Sequence, residues 1–307
     1  MQRILEPGQI EAFAQRSIPR LRLPDRSRVF SARAARLRQQ SEDGAVGNAI
    51  GHYLRLMAHL ADAQQASLAD LDSTPPSAEQ IASARTFRMP LVAATGWQRE
   101  EHWRRTLTGI CDSLAALPSL PASVGAVCDH LRAQEPQQIE AQADALLATR
   151  NAAIDMAAAP FVMAALQVYW VDLASRVRVD DVHELEVPGV CPLCGTLPAA
   201  SIVRADPRSQ GFRYLHCALC ATEWHMVRVK CSHCQTTQGI SYQSIAGAPQ
   251  AIRAECCDTC RTYRKILYQE VDGDVEPLAD DLASLALDLL LSDAGYHRAS
   301  ANPLLFA

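Results

Sequence analysis

Apolar and polar positions recur with helical period through most of the first 180 residues. In the stretch GNAIGHYLRLMAHLADAQQASLADL, Ile50, Leu54, Met57, Ala61 and Gln64/Gln65 fall three or four residues apart, which predicts one long amphipathic helix running to Asp72 and closed by Pro75-Pro76. Upstream, Ser31 to Gln40 (SARAARLRQQ) predicts a helix with an arginine-rich face. Trp97 to Leu117 repeats the pattern with Trp103, Leu107, Ile110 and Leu114 on one side, and Pro118 and Pro121 divide it from helices expected over 122–133 and 136–149. Residues 151–178 are the most apolar segment, with FVMAALQVYW at their heart. Their uncharged run, 156–171, is too short to span a membrane and holds Pro160 and Gln167, so it predicts a buried helix. Together these segments predict an all-helical domain over residues 1–180, with about six or seven helices around one core.

The texture changes after the acidic, polar stretch VDDVHELEVP (179–188), which reads as a linker. Short β-prone pieces separated by turns follow: ASIVRAD, GFRYLHC, EWHMVRVKC and ISYQSI. Near the end, PLADDLASLALDLLLS (277–292) places Leu278, Leu282, Leu285 and Leu289 at helical spacing, with Pro277 opening the helix, acids in its first turn and Gly295 beyond it. A single C-terminal helix is therefore expected, docked on the modules or on the helical domain. The fold class that emerges is α plus small β: the helical domain, two small modules over 188–228 and 229–270, and an acidic helix and tail over 271–307.

Charge sharpens this division. The chain has 307 residues, a formal net charge of -5 and 49% hydrophobic residues, ample for ordinary cores. Residues 191–268 hold nine Lys and Arg against four acids, whereas 269–293 hold eight acids and no Lys or Arg. A basic module is thus followed by an acidic segment, and that neighbour, with a pI of about 6.0, argues against nucleic acid as a partner. The opening MQRILEPGQIEAFAQRSIPR lacks the apolar core of a secretory signal, so a cytoplasmic location is expected. In a reducing compartment the eleven cysteines point to metal ligation rather than disulfides.

Eight of those cysteines form four Cys-x-x-Cys pairs: Cys191 and Cys194, Cys217 and Cys220, Cys231 and Cys234, Cys257 and Cys260. A gapless shift of forty positions carries the first four onto the last four, and also matches Thr196 to Thr236, Ser201 to Ser241, Gln210 to Gln250, Arg213 to Arg253 and Thr222 to Thr262. Two Cys-x-x-Cys turns supply the tetrahedron of thiolates that one metal ion needs, so the repeat predicts two four-cysteine sites. Consecutive pairing within each unit follows from the unit repeating as a block, although spacing also permits crossed pairing. Four thiolates suit a zinc ribbon and a rubredoxin-like iron site alike, and a purely structural role and a redox role are both compatible with them. Cys256 has no counterpart in the first unit and reads as a spare cysteine. His216, His225 and His233 lie among the ligands but are not needed to complete either site. Trp224 and Tyr263 are expected to cover the metals, and Cys111 and Cys128 to be core residues. There is no Gly-rich phosphate loop, nucleophile elbow or His-Glu-x-x-His motif, which argues against a classical enzyme. Arg213, Arg228, Lys230, Arg253, Arg261, Arg264 and Lys265 are candidates for a basic partner-binding face.

The stretches RYLHCALCATEWHMVRVKCSHC (213–234) and AIRAECCDTCRTYRKILYQE (251–270) closely resemble the formate dehydrogenase accessory protein family, FdhE, as do ADDLASLALDLL and GYHRASANPLLF in the tail and, more loosely, ARAARLRQQ and YLRLMAHLADAQ. The resemblance implies a cytoplasmic, non-enzymic maturation factor that binds the catalytic subunit of a respiratory formate dehydrogenase before its export. It also implies rubredoxin-like sites and shifts the metal preference from zinc to iron, with Cys191, Cys194, Cys217, Cys220, Cys231, Cys234, Cys257 and Cys260 as ligands. A redox protein passing electrons or sulfur to the same client, through the metal sites or Cys256, is the alternative.

Overall fold

The structure is a computed structural model that describes residues 18–42, 48–149, 154–248 and 250–305; the opening residues read for a signal, up to residue 17, lie outside the described residues. Among the described residues, seven α-helices precede the main sheet strands: α1 (Val29–Glu42), α2 (Asn48–Ala69), α3 (Ala78–Phe87), α4 (His102–Ala115), α5 (Ala122–Ala133), α6 (Pro136–Leu147) and α7 (Ala159–Ser175). The face of α2 expected from spacing is the buried one, with Leu54, Met57 and Ala61 joined by Ala58, Leu60 and Leu68. Helix α3 is an addition to the expected set, and its signal is the capping box of Ser77 and Gln80, each side chain bonding the other's backbone N–H. Helix α4 starts later than the pattern from Trp97 implies, because Trp97 and Glu100 are engaged elsewhere: Trp97 Nε1 donates to the Tyr169 hydroxyl (3.1 Å) and Glu100 accepts from Thr74 N (3.1 Å).

Helix α7 is apolar all round and accordingly runs through the middle of the domain, with only Met163 and Ser175 short of full burial. Its two buried polar side chains tie the fold together. Gln167 donates to the carbonyl of Ala218 (2.7 Å) and accepts from Gln64 (2.9 Å) and Arg33 (3.4 Å). Asp172 accepts from Ser73 N (2.7 Å) and pairs with Arg26 and Arg176. Leaving either group unpaired at this depth would cost about 1–3 kcal/mol.

Among the described residues, one mixed, open sheet of eight strands forms: β1 (Leu21–Arg22), β2 (Pro198–Val203), β3 (Arg213–Cys217), β4 (Glu223–His225), β5 (Ile240–Gln243), β6 (Ile252–Cys257), β7 (Thr262–Tyr268) and β8 (His297–Arg298). Each repeat unit is an antiparallel meander, β2-β3-β4 and β5-β6-β7, and the two are joined side by side by parallel pairing of β2 with β7. The units are therefore not separate beads. Strand β1, contributed from ahead of the helices, extends the sheet beyond β4, an exchange the sequence pattern does not announce.

The core is continuous from the helices into the first unit, through Leu193, Leu215, Leu219, Trp224 and Met226, and on to Leu278 and Leu304. The second unit has smaller clusters of its own. At the C-terminus the expected single helix is two, α8 (Pro277–Ala283) and α9 (Leu285–Asp293), broken at Ser284. The cause is Lys265, whose Nζ takes the carbonyl oxygens of Asp281 (2.7 Å) and Ser284 (3.0 Å). The break rotates the buried face: Leu278 and Leu282 are buried as expected, but Leu287 and Leu291 then turn inward and Leu289 is 69% exposed.

Candidate metal centres

All four Cys-x-x-Cys pairs fold into the same knuckle. In three of them the backbone N–H of the leading cysteine donates at 2.9 Å to the carbonyl five residues on: Cys191 to Thr196, Cys217 to Thr222 and Cys231 to Thr236. The residue after the second cysteine is left-handed in every knuckle, at Gly195, Ala221, Gln235 and Arg261. Only the first of these is glycine, and there a Cβ would stand 2.9 Å from Pro90 Cγ, so close docking against the helical domain reinforces the choice. The knuckle aims backbone donors at sulfur: Leu219 and Cys220 N–H at Cys217 Sγ (3.4 Å each), and His233 and Cys234 N–H at Cys231 Sγ (3.4 Å each).

The knuckles converge in consecutive pairs. Cys191, Cys194, Cys217 and Cys220 form one cluster and Cys231, Cys234, Cys257 and Cys260 the other, each with its four sulfurs within 4.8 Å of one another. Sulfur separations are 3.6 Å (Cys191 to Cys220) and 3.3 Å (Cys194 to Cys217) in the first, and 3.7 Å for both Cys231 to Cys260 and Cys234 to Cys257 in the second. Metal–sulfur bonds of about 2.3 Å in a tetrahedron set sulfur–sulfur edges of about 3.8 Å, whereas a disulfide needs about 2.05 Å. The clusters thus fit a tetrahedral metal ion and not a disulfide. Burial pushes the Cys191 and Cys220 thiols far up, while at Cys217 hydrogen bonds from the neighbouring thiols overcome burial and hold it down. A cation bound among the four sulfurs would stabilise their thiolates against burial.

The two centres differ in access. The first is closed, with no cysteine more than 1% exposed, and the helical domain clasps it: Val92 and Ala94 N–H donate to the carbonyls of Leu193 (2.9 Å) and Cys194 (2.8 Å), and Gln167 reaches Ala218 within its second knuckle. In the second, Cys231 and Cys257 are buried, Cys260 is half-buried and Cys234 is exposed.

The neighbouring residues sort themselves. Trp224 packs in the core that holds the first cluster and donates Nε1 to the Pro188 carbonyl (2.8 Å). Tyr263 instead seats α9, packing with Leu287 and Leu291 and donating to Asp288 (2.6 Å). His216 is bound through Nδ1 to Glu223 (3.0 Å), and His225 lies edge-on to Phe212 and Tyr214; His233 is exposed, and neither cluster includes a histidine. Cys256 is fully buried, its thiol pushed up to about 11 by burial, and Cys111 and Cys128 are core residues.

The basic face needs correction at three positions. Arg213 is fully buried, pairing with Glu255 (2.8 Å) and reaching Ser201 and the carbonyls of Val227 and Lys230. Arg264 is buried on Ser232 (2.9 Å), Ser300 (2.6 Å) and the Pro198 carbonyl, and Lys265 on Asp288 (2.6 Å) and the α8 carbonyls. Strand alternation in a sheet covered on both sides turns these cations inward, where they hold the units together. Arg261 closes the end of α9 through the carbonyls of Ala294 (2.7 Å) and Gly295 (3.3 Å). Arg228, Lys230 and Arg253 remain at the surface. The acids of the tail are spent in the same way, on α1 as well as on the module: Glu276 pairs with Arg33 (3.0 Å) and Asp280 with Arg36 (2.7 Å).

Three family models cover this arrangement in succession: FdhE N-terminal over residues 18–186, the FdhE central domain over 190–228 and the FdhE C-terminal domain over 229–305. The chain belongs to the FdhE family. A Cronobacter sakazakii protein described as a protein FdhE homolog is 40% identical over 308 residues, 99% of this chain and 97% of that protein. The protein FdhE of Salmonella paratyphi A is 39% identical over 98% of this chain and 96% of its own length. The crystal structure of the FdhE protein from Pseudomonas aeruginosa superposes with a TM-score of 0.79 at 39% identity, covering 94% of this chain and 99% of that one. The family resemblance read from residues 213–234 and 251–270 is the family the chain belongs to.

Proposed function

We propose that this FdhE protein is a maturation factor for a respiratory formate dehydrogenase, binding the enzyme's catalytic subunit in the cytoplasm before export and catalysing no reaction of its own. The observation that carries this reading is the match to FdhE proteins along the whole chain, helical domain and both four-cysteine units together. We assign each unit as a rubredoxin-like site and favour iron, with zinc as the alternative. A metal bound there cross-links two knuckles, and iron would add a one-electron couple. The residues around the centres divide the work: the first cluster, sealed against α7, fixes the module to the helical domain, while Cys234 and Cys260 leave the second open to a partner.

That openness is also what favours the second reading, a redox protein that delivers electrons to the same client. Delivery of sulfur through Cys256 is a poor fit, since its thiol is buried and pushed up to about 11. Nucleic-acid binding loses support with the burial of Arg213, Arg264 and Lys265.

Deletion of the gene tests the reading. Respiratory formate oxidation is expected to be lost while the catalytic subunit is still made, and a plasmid copy is expected to restore it. Undiminished activity in the deletion strain would end the maturation reading.

A further inference from the structure

The tandem repeat leaves one strand position without an occupant. In the sheet order β1-β4-β3-β2-β7-β6-β5, the outer edge of β2 is covered by β7, with Ser201, Ile202 and Val203 opposite Ile266, Leu267 and Tyr268. Strand β5 is the second unit's counterpart of β2. It pairs with β6 on one side and, among the described residues, with no strand on the other.

The register fixes which groups face outward. Asp258 N–H donates to the Gly239 carbonyl (2.9 Å), and the pairing continues as Ile240 opposite Cys257, Ser241 opposite Cys256 and Tyr242 opposite Glu255. Antiparallel ladders alternate bonded and non-bonded pairs, so Ser241 and Gln243 bond to β6 while Ile240 and Tyr242 point their N–H and C=O off the free edge. Natural edges are blunted by proline, charge or a bulge. This one, ISYQ, has no proline or charge and an unbroken register with β6.

Its surroundings indicate what it would accept. Tyr242 is 37% exposed and lies on the same sheet face as Glu255 and Arg253, bonding Glu255 through its hydroxyl (3.1 Å). Arg253 sits over the Tyr268 ring (4.9 Å), and the charge of Arg228 also reaches that ring. The chain segment carrying Arg228 and Lys230 is pinned over this face by Arg213, which donates to the carbonyls of Val227 and Lys230. Val227 and Val229 are 61% and 51% exposed there. The acids of this face are already committed: Glu255 is paired with Arg213.

We propose that the free edge of β5 is a docking strand, which takes an extended acidic segment of the client polypeptide into the sheet as an added strand. Main-chain hydrogen bonds to Ile240 and Tyr242 give the affinity, and carboxylates at alternate positions, facing Arg228, Lys230 and Arg253, give the selectivity. Ile240 lies opposite Cys257, so the added strand would run about two strand spacings, roughly 10 Å, from a ligand of the second centre. This inference rests on the maturation reading, because the client is the catalytic subunit of formate dehydrogenase.

The test is binding of the full-length protein to the purified catalytic subunit, with backbone hydrogen exchange measured in the free protein and in the complex. The amides of Ile240 and Tyr242 should exchange fast when free and become protected in the complex. Tyr242→Pro removes the outward donor together with the hydroxyl bond to Glu255 and leaves the ladder to β6 in place, so it should retain its metal and fold yet bind at least about tenfold more weakly, whereas Tyr242→Phe, which loses only the hydroxyl, should bind as wild type. Arg228→Glu with Arg253→Glu should weaken binding as much and flatten its salt dependence. Wild-type binding with no protection at residues 240–243, or Tyr242→Pro and the charge-reversed protein binding as tightly as wild type, overturns the docking strand and leaves the maturation reading standing. Failure of the wild type to bind the subunit sinks both. Self-association abolished by Tyr242→Pro would assign the edge to a second copy of the chain and overturn the proposal.

Discussion

Removing Asp280 should loosen the joint between the helical domain and the metal-binding units. Its carboxylate is fully buried and accepts from Arg36 Nε on both oxygens (2.9 Å each), from Arg36 Nη2 (2.7 Å), from Gln40 (2.9 Å) and from the Glu276 N–H (2.7 Å). In Asp280→Ala the Arg36 guanidinium stays buried and keeps only Asp272 (2.7 Å) and Gln39 (2.8 Å). Breaking a buried ion pair from one side costs about 3–5 kcal/mol, and the surviving Asp272 contact places this case at about 3. Loss of the bond to Glu276 N–H, at the start of α8, adds about 1 kcal/mol. The variant should therefore melt roughly 8 °C below wild type, at about 2 °C per kcal/mol for a chain of this size. Segment 269–276 should become sensitive to protease in the folded state. Replacing both partners, Arg36→Met with Asp280→Leu, should recover most of the loss, since neither charge is then left unpaired. Scanning calorimetry with limited proteolysis measures both effects. A single variant within about 0.5 kcal/mol of wild type, with segment 269–276 still resistant, would refute the reasoning.

Other expectations follow from the same contacts. Burial alone would raise the Glu140 carboxyl, but Arg99, Trp103 and Arg104 hold it below the usual range, so its stabilisation is full above the ordinary glutamate range and is lost as pH falls from there through the lowered value of the folded state. Glu140→Gln should cost about 1–2 kcal/mol at pH 7, with the difference from wild type closing in acid, as urea melts at several pH values would record. Gln167→Leu strands the Ala218 carbonyl and should cost about 2 kcal/mol in urea unfolding. With metal bound, alkylation followed by peptide mapping should find Cys234 first, with Cys191, Cys194, Cys217, Cys220 and Cys256 protected until the protein unfolds. Cys256→Ala should leave formate dehydrogenase activation intact in a complementation assay, whereas sulfur delivery through that thiol requires its loss.

The cysteine clusters were legible because a knuckle is local. Cys-x-x-Cys and the bond from its leading cysteine's N–H to the carbonyl five residues on close within six residues, and a gapless repeat carries consecutive pairing with it. Helices α2 and α7 were legible through period and apolarity, and α3 carried a readable capping box at Ser77 and Gln80 that is easily passed over after Pro75-Pro76. What the pattern hid is long-range. Arg33 meets Glu276 across 243 positions and Arg36 meets Asp280 across 244, so charge counts by segment placed the acidic tail beside the basic module without revealing its hold on α1. The same blindness made Arg213, Arg264 and Lys265 look like surface charge, since their burial depends on Glu255, Ser232 and Asp288 arriving from other strands, turns and helices. Leucine spacing ran through Ser284 without a sign of the break, because Lys265 imposes it from another element.

Two metal-binding centres in one FdhE protein are the claim on which the rest stands. Metal analysis with an absorption spectrum, on protein purified without oxygen, tests it directly. About two metal ions per chain are expected, with a reducible ferric–thiolate band for iron, and about one ion after Cys231→Ser and Cys257→Ser open the second cluster alone. A folded, monodisperse protein that carries no metal and gains none from added iron or zinc would contradict the account.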